Sequence, residues 1–329
     1  MTRRLYLACA AVLAAAVAAS LSACSPLSVV NAISPGGASQ ATEAIRYGSD
    51  PRNMLDIYRP TAASRATTGT GAGAGAGAGA APVIVFFYGG NWVSGKRSDY
   101  AFVGRALAAR GFVVVVPDYR LYPQVHYPDF LTDAAAAVAW TERHIANYGG
   151  DATKVFVMGH SAGAYNAAMV ALDGRWLGAQ GIQPGSLRGW IGLAGPYDFL
   201  PIQNRTTRPV FDYPNTRAES QPVNHVDIKT PPTLLIAARN DDLVDPARNT
   251  GTLAAKLRTA GVPVRELYYG GVNHYTLVAS LSSPLHRLAP TLDAVQAFVD
   301  DTVGGKAGAG PGDKLSENGN DRRTSDPAR

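Results

Sequence analysis

The chain has 329 residues, 46% of them hydrophobic, and 30 Lys and Arg against 25 Asp and Glu give a formal net charge of +5. That composition supplies a large core and excludes a collagen-like or wholly disordered chain. No Lys/Arg cluster is interleaved with aromatic residues, so nucleic acid is not expected as a partner. The two cysteines are Cys9 and Cys24, which excludes a disulfide framework from everything after residue 24.

In chain order, residues 1–23 read as a signal peptide: Arg3 and Arg4 precede a short, Ala-rich apolar run. The run ends in Leu21-Ser22-Ala23-Cys24, which resembles the lipobox of bacterial lipoproteins. The alternative is an ordinary signal peptide that contains a cysteine. Residues 24–44 then read as a lipidated Cys and a flexible tether, rich in Ser, Ala, Pro and Gly. Residues 45–302 are expected to form one catalytic domain, interrupted at 69–81 by an alternating Gly/Ala tract that reads as a loop insertion. Such an insertion costs little, because closure entropy grows only logarithmically with length. Residues 303–329 carry almost no apolar side chains and are expected to be a disordered tail.

Within 45–302, short apolar runs alternate with helical patterns. The runs are PVIVFF (82–87), FVVVVP (112–117), KVFVMG (154–159), GWIGLAG (189–195), PTLLIAA (232–238) and VRELYYG (264–270). Continuous apolar runs suit strands covered on both faces. Helices are expected at 100–110, 128–148, 164–172, 246–260 and 291–303. This alternation indicates an α/β fold, with a mostly parallel, doubly wound sheet and helices on both faces. The earlier LDIYRP (55–60) alternates, lacks a following helix and reads as an antiparallel edge strand.

The third strand leads into Gly159-His160-Ser161-Ala162-Gly163 and then an Ala-rich helix. A strand-to-helix turn tight enough to expose a serine hydroxyl tolerates only small residues at its flanks, and Gly159 and Gly163 meet that demand. The turn lies at the C-terminal edge of the sheet, where α/β folds bind ligands. A plain helix N-cap would explain Ser161, but not both glycines or the strand before it.

A serine nucleophile needs a base. Of six histidines, His274 alone follows a strand directly, in GGVNHYTL, on the same sheet edge as Ser161. A structural histidine is the alternative. An acid to orient the imidazole is expected after PTLLIAA, where Asp241, Asp242 and Asp245 all stand. Two of these three are expected to serve as turn or cap residues. After the first strong strand, Gly89-Gly90 lets backbone N–H groups turn inward without steric cost, although a simple Gly-Gly turn would look the same.

FFYGGNW, VVPDYRLYP, GHSAG, NDDLVD and GVNHYT, in this order, resemble the carboxylesterases of the hormone-sensitive-lipase and arylformamidase branch of the α/β-hydrolases, over about residues 45–302. The resemblance implies the chain order nucleophile, acid, base: Ser161, Asp241, His274. Asp241 is selected because Ala238, Asp241 and Val244 fit the family's small-x-x-Asp-x-x-Val pattern. Asp245, before Pro246, reads as a helix cap. The N–H groups of Gly90, Asn91 and Ala162 would form the oxyanion hole. Tyr88 stands where the family usually has His, a position that supports the loop, and Asp118 would brace that loop from beneath. The implied activity is hydrolysis of small-molecule carboxylic esters through an acyl-enzyme, with no metal or organic cofactor. An arylformamidase-type amidase would share every residue named. A non-catalytic binding lipoprotein on this fold is the rival from another class.

The lipobox resemblance implies a diacylglyceryl group on Cys24 and attachment to a bacterial envelope membrane. Ser25 after the Cys points to the outer membrane or cell surface. Two acyl chains suffice for stable anchoring where one does not. The tether would let the domain stand off the lipid and leave Ser161 open to soluble substrates. Metabolic labelling with a palmitate analogue is expected to mark the wild-type protein and not Cys24→Ser. An unlabelled, soluble wild-type protein would overturn the anchor.

Overall fold

The computed structural model describes residues 26–62, 79–183 and 185–306. Eight strands form one sheet: β1 (Ser39–Arg46), β2 (Met54–Pro60), β3 (Ala81–Phe87), β4 (Val113–Pro117), β5 (Gly150–His160), β6 (Gly189–Leu193), β7 (Thr233–Ala238) and β8 (Val264–Tyr269). Their order across the sheet is β1-β2-β4-β3-β5-β6-β7-β8. β1 with β2 and β2 with β4 are antiparallel, and the remaining pairs are parallel. Every residue of β4, β6 and β7 is buried. That requires cover on both faces and accounts for the continuous apolar runs in the sequence.

The cover is helical: α1 (Pro26–Ile33), α2 (Ala101–Ala109), α3 (Asp129–His144), α4 (Ala162–Leu172), α5 (Gly174–Ala179), α6 (Thr252–Thr259), α7 (His274–Ala279) and α8 (Thr291–Val303). α4 packs on β5 and β6, while α2 packs on β2 and β4. The mostly parallel sheet covered by helices is the one expected from the alternation, and it agrees with the α/β-hydrolase fold that the motif resemblance implies. The helix expected at 246–260 starts as a π-helical turn, Ala247–Gly251, before α6.

Two expectations need correction. The LDIYRP strand is antiparallel but not at the edge, because β1 pairs along its outer side. β1 had no apolar signal: SQATEAIR is mostly exposed or half-buried, as an edge strand is. The expected tether at 24–44 is not free from residue 26 onward. α1 docks against the turn at Arg97–Tyr100 and against α2, with Val30 buried beneath it. Asn31 fastens the contact. Its Nδ2 donates to the Ser98 carbonyl at 2.6 Å, its Oδ1 accepts from the Phe102 N–H at 2.7 Å, and its own carbonyl accepts from Arg105 Nη2 at 2.8 Å. Phe102 N–H lies in the first turn of α2, where no intrahelical acceptor exists, so Asn31 satisfies an otherwise orphaned donor. A short polar-flanked helix that depends on one Asn gives little periodicity to read.

The expected signal peptide and Cys24 lie outside the described residues, as do most of the Gly/Ala tract and the tail beyond residue 306.

Asn31→Ala is expected to lower unfolding stability by about 1–3 kcal/mol, the cost of leaving a sheltered N–H unpaired. Limited proteolysis should then cut first near α1. Unchanged stability and an unchanged cleavage pattern would mean that α1 is not held by this residue.

Candidate active site

β5 ends at His160, α4 begins at Ala162, and Ser161 between them has φ 55° and ψ −124°. This is a sparsely populated conformation for a non-glycine residue, costing about 1–3 kcal/mol. Close packing holds it there. A Cβ on Gly159 would lie 2.1 Å from the Gly163 carbonyl oxygen, and one on Gly163 would lie 2.1 Å from the Phe87 carbonyl oxygen. β3, β5 and α4 therefore meet backbone to backbone, and only glycine fits at either contact. The Ser161 N–H donates to the Leu193 carbonyl at 2.9 Å, and its carbonyl accepts from Ala164 and Tyr165 N–H. Its hydroxyl caps nothing, although it occupies the N-cap position. The helix-cap alternative therefore does not describe it.

The loop after β3 carries three successive positive φ values: Gly90 (136°), Asn91 (53°) and Trp92 (60°). At Gly90 a Cβ would strike the Ser94 carbonyl oxygen at 2.2 Å. The Gly90 carbonyl accepts from Val93 and Ser94 N–H, whereas the Gly90 and Asn91 N–H groups donate to no acceptor among the described residues. Ala162, as the first residue of α4, likewise has no carbonyl one turn earlier. The three N–H groups expected for an oxyanion hole thus meet no acceptor among the described residues.

A buried network fixes that loop. Tyr88 OH donates to Asp118 Oδ1 at 2.9 Å and accepts from Arg52 Nη2 at 3.0 Å. Its ring stacks on Tyr119, with centroids 4.7 Å apart. Asp118 also accepts from the Arg97 N–H and guanidinium, and Arg97 Nε reaches Asp56 in β2 at 2.7 Å. Burial pushes the Tyr88 hydroxyl well above its ordinary range, so it remains a neutral donor. Trp92 is pinned by Nε1–H donation to Asn166 Oδ1 at 3.0 Å. Trp92 closes the FFYGGNW motif, but nothing in the sequence assigns this indole a partner.

His274 is the first residue of α7. Asn273 caps that helix by accepting from Tyr275 and Thr276 N–H, and Thr276 completes a capping box. His274 Nδ1 lies 2.8 Å from Asp241 Oδ2, while Asp241 Oδ1 accepts from Leu243 and Val244 N–H, each at 2.9 Å. Burial pushes the Asp241 carboxyl up, but the hydrogen bond and charge of His274 and the two N–H donors outweigh it and hold it below the ordinary carboxylate range. Asp241 is therefore ionised beside the imidazole. Asp242 is exposed, and Asp245 Oδ1 accepts from Ala247 and Arg248 N–H as a cap.

His160, set aside in the sequence, contacts this pair: its ring lies 4.8 Å from that of His274. The other four histidines lie against backbone carbonyls of Pro209 (His126), Trp140 (His144), Glu219 (His225) and Ser283 (His286).

Ser161 opens into a cavity of about 200 Å³, lined near it by Asn91, Trp92, Ala162, Phe199, Ile202 and Val244. Phe199 and Ile202 belong to the irregular segment between β6 and β7, whose contribution had no periodic signal to reveal it.

The BD-FAE family model matches residues 74–257, more than half of the chain, ending before His274. A probable isoprenylcysteine alpha-carbonyl methylesterase ICME of Oryza sativa subsp. japonica is 28% identical over 257 residues, covering 71% of this chain and 58% of that protein. Esterase LipC of Mycobacterium tuberculosis is 28% identical over 277 residues, covering 78% and 64%. The chain thus spans less than two thirds of the length of these relatives. Among solved structures, esterase B of Lactobacillus rhamnosis superposes with a TM-score of 0.67 at 17% identity, covering 90% of this chain and 98% of that one. The Pyrobaculum calidifontis esterase gives 0.63 at 22% identity, covering 84% and 89%. At these identities the shared fold is what the likeness shows.

Asp241→Asn is expected to lower kcat by about 10⁴-fold, the cost of a wrongly held imidazole tautomer. Asp245→Asn should cost about 1 kcal/mol of stability and little rate, and Asp242→Asn should be nearly silent. Steady-state kinetics of the three variants decide it. A larger rate loss at Asp242 would move the assignment.

Proposed function

The chain belongs to the BD-FAE family, and from that premise we propose that it is a serine carboxylesterase. Ser161, with a strained backbone and an uncommitted hydroxyl, stands on the same sheet edge as the His274–Asp241 pair, and this is the observation that carries the reading. Ser161 Oγ attacks the ester carbonyl as His274 Nε2 takes its proton. The ionised Asp241 holds the imidazole tautomer and stabilises the imidazolium. The developing oxyanion is received by the N–H groups of Gly90, Asn91 and Ala162, and donors held in place in this way act without reorganisation. His274 returns the proton to the departing alcohol. Water then attacks the acyl-enzyme, with His274 again as base, and frees Ser161.

FFYGGNW and GHSAG support a place near the hormone-sensitive-lipase and arylformamidase branch. The cavity of about 200 Å³ suits a small acyl or alcohol group, since drug-sized ligands occupy roughly 300–1,000 Å³. The plant relatives are named as methylesterases, which is compatible with a small leaving alcohol.

We also infer a lipid anchor at Cys24, supported by the Leu21-Ser22-Ala23-Cys24 pattern. α1 starts only two residues later and packs against the turn at Arg97–Tyr100, in which the Tyr100 ring lies 6.4 Å from that of His160. An anchor there would hold the catalytic face close to the lipid, in contrast to a domain standing off on a long tether.

Ser161→Ala is expected to abolish fluorophosphonate labelling and reduce ester turnover to a background of ~10³-fold over water, left by the oxyanion hole and binding. Its folded spectrum should be unchanged. Near-wild-type turnover would overturn the mechanism. Faster turnover of N-formyl aromatic amines than of any ester would favour the amidase reading.

A further inference from the structure

His160 is the last residue of β5, directly before Ser161, and is almost wholly buried. Its Nε2 lies 2.9 Å from the backbone carbonyl oxygen of His274. A carbonyl can only accept, so Nε2 carries the proton and Nδ1 carries the lone pair. That Nδ1 is buried and meets no partner among the described residues. Gly89 stands against it: a Cβ there would approach Nδ1 to 3.2 Å and Ser161 Cβ to 3.0 Å. The imidazole is thus a one-way donor, and it ties the strand end that carries Ser161 to the main chain of His274.

We propose that His160 is a positioning residue: through its Nε2–H it fixes the His274 backbone relative to Ser161, and it stays neutral while His274 gains and loses a proton. This rests on the assignment of His274 as the base. The side chain of His274 is held at one end by Asp241, which sets the imidazole orientation but not the distance of the whole residue from the elbow. The capping box at Asn273 fixes the start of α7. The His160 bond links that start to β5 across the sheet edge.

Neutrality follows from what faces the ring. A second proton on Nδ1 would be a buried cation with no acceptor, 4.8 Å from the His274 ring, which itself becomes positive during catalysis. Burial first, and then the charge of His274, push the His160 imidazole down to about 3, against the opposing hydrogen bond to His274 and the attraction of Asp241. Tyr100, with its ring 6.4 Å away, is a buried phenol pushed up out of the titrating range, and brings no charge. Tyr275, the remaining titratable group nearby, has its ring 5.5 Å from that of His274 and is exposed. A lysine or arginine at position 160 could also donate to the carbonyl, but it would oppose the imidazolium that must form on His274.

The test compares two substitutions. His160→Gln keeps an amide N–H that can reach the position of Nε2. His160→Leu keeps bulk and removes the donor. In His160→Leu, kcat is expected to fall by about 10²-fold with KM little changed, the scale of loss from about 1 Å of misplacement. The acidic limb of its kcat/KM profile should move to lower pH, because a loosened imidazolium loses part of its pairing with Asp241. His160→Gln should recover most of the loss and the wild-type profile. Equal damage in both variants, or wild-type kinetics in His160→Leu, would overturn the proposal. If neither variant folds, imidazole ¹⁵N NMR of the wild-type protein decides: His160 should remain the neutral Nε2–H tautomer down to about pH 5, below the ordinary histidine range. Titration of His160 there would overturn it. Persistent turnover in Ser161→Ala would instead sink the serine-hydrolase reading itself, so the two failures are distinguishable.

Discussion

Everything at the candidate site depends on how closely α4 approaches the ends of β3 and β5. Gly163 lies against the Phe87 carbonyl and Gly159 against Gly163, with no room for a Cβ at either place. That approach forces Ser161 into its positive-φ conformation, lifts its hydroxyl away from any capping role and leaves the first N–H of α4 beside it. The strain of about 1–3 kcal/mol is sustained by the fully buried strands around it, each buried Val, Phe or Met side chain contributing roughly 1.5–3 kcal/mol. A single added methyl at either glycine would push these elements apart and release the turn.

The rest of the sheet edge is arranged around that fixed point. The loop after β3 is braced from below by Tyr88, Asp118, Arg52 and Arg97, four side chains drawn from distant parts of the chain. Three of them, Asp118, Arg52 and Arg97, are charged groups that would be costly to bury alone, and their hydrogen bonds to one another and to Tyr88 make the arrangement tolerable. The consequence is a braced loop whose Gly90 and Asn91 N–H groups meet no acceptor among the described residues, as the proposed oxyanion hole requires. Tyr88 shows how a motif can depart from its usual first residue and still keep the loop: a neutral phenol bridges the carboxylate and the guanidinium.

Opposite that loop, Asp241, His274 and His160 form a graded series of charge states. Asp241 is held ionised by N–H donors and by the imidazole, while His160 is held neutral by burial and by its neighbour. The proposed base lies between a fixed anion and a fixed neutral donor. α1 docks on the turn at Arg97–Tyr100 and on α2, so the N-terminal segment from residue 26 is part of the folded domain and not a detached spacer.

The sequence by itself determined the central strands, the alternation that makes the sheet parallel, and the Gly-x-Ser-x-Gly turn, because each rests on local chemistry: continuous apolar runs need two covered faces, and a sharp turn needs small residues. It also narrowed the partners to His274 and a cluster of three aspartates, since chain order and position after a strand are linear properties. The family pattern then singled out Asp241, and the tertiary structure supplied the physical reason that it, and not its neighbour, meets the imidazole. Asp241 and Asp242 are adjacent and chemically identical, and they differ in which way the chain faces after β7. The same holds for His160, whose ring direction depends on a carbonyl 114 residues away. It holds also for Asn31, Trp92 and the segment that carries Phe199, and for β1, an exposed edge strand whose pattern has no apolar face to reveal. Contacts between residues far apart in the chain leave no periodicity behind, and those contacts decide which side chains share the site.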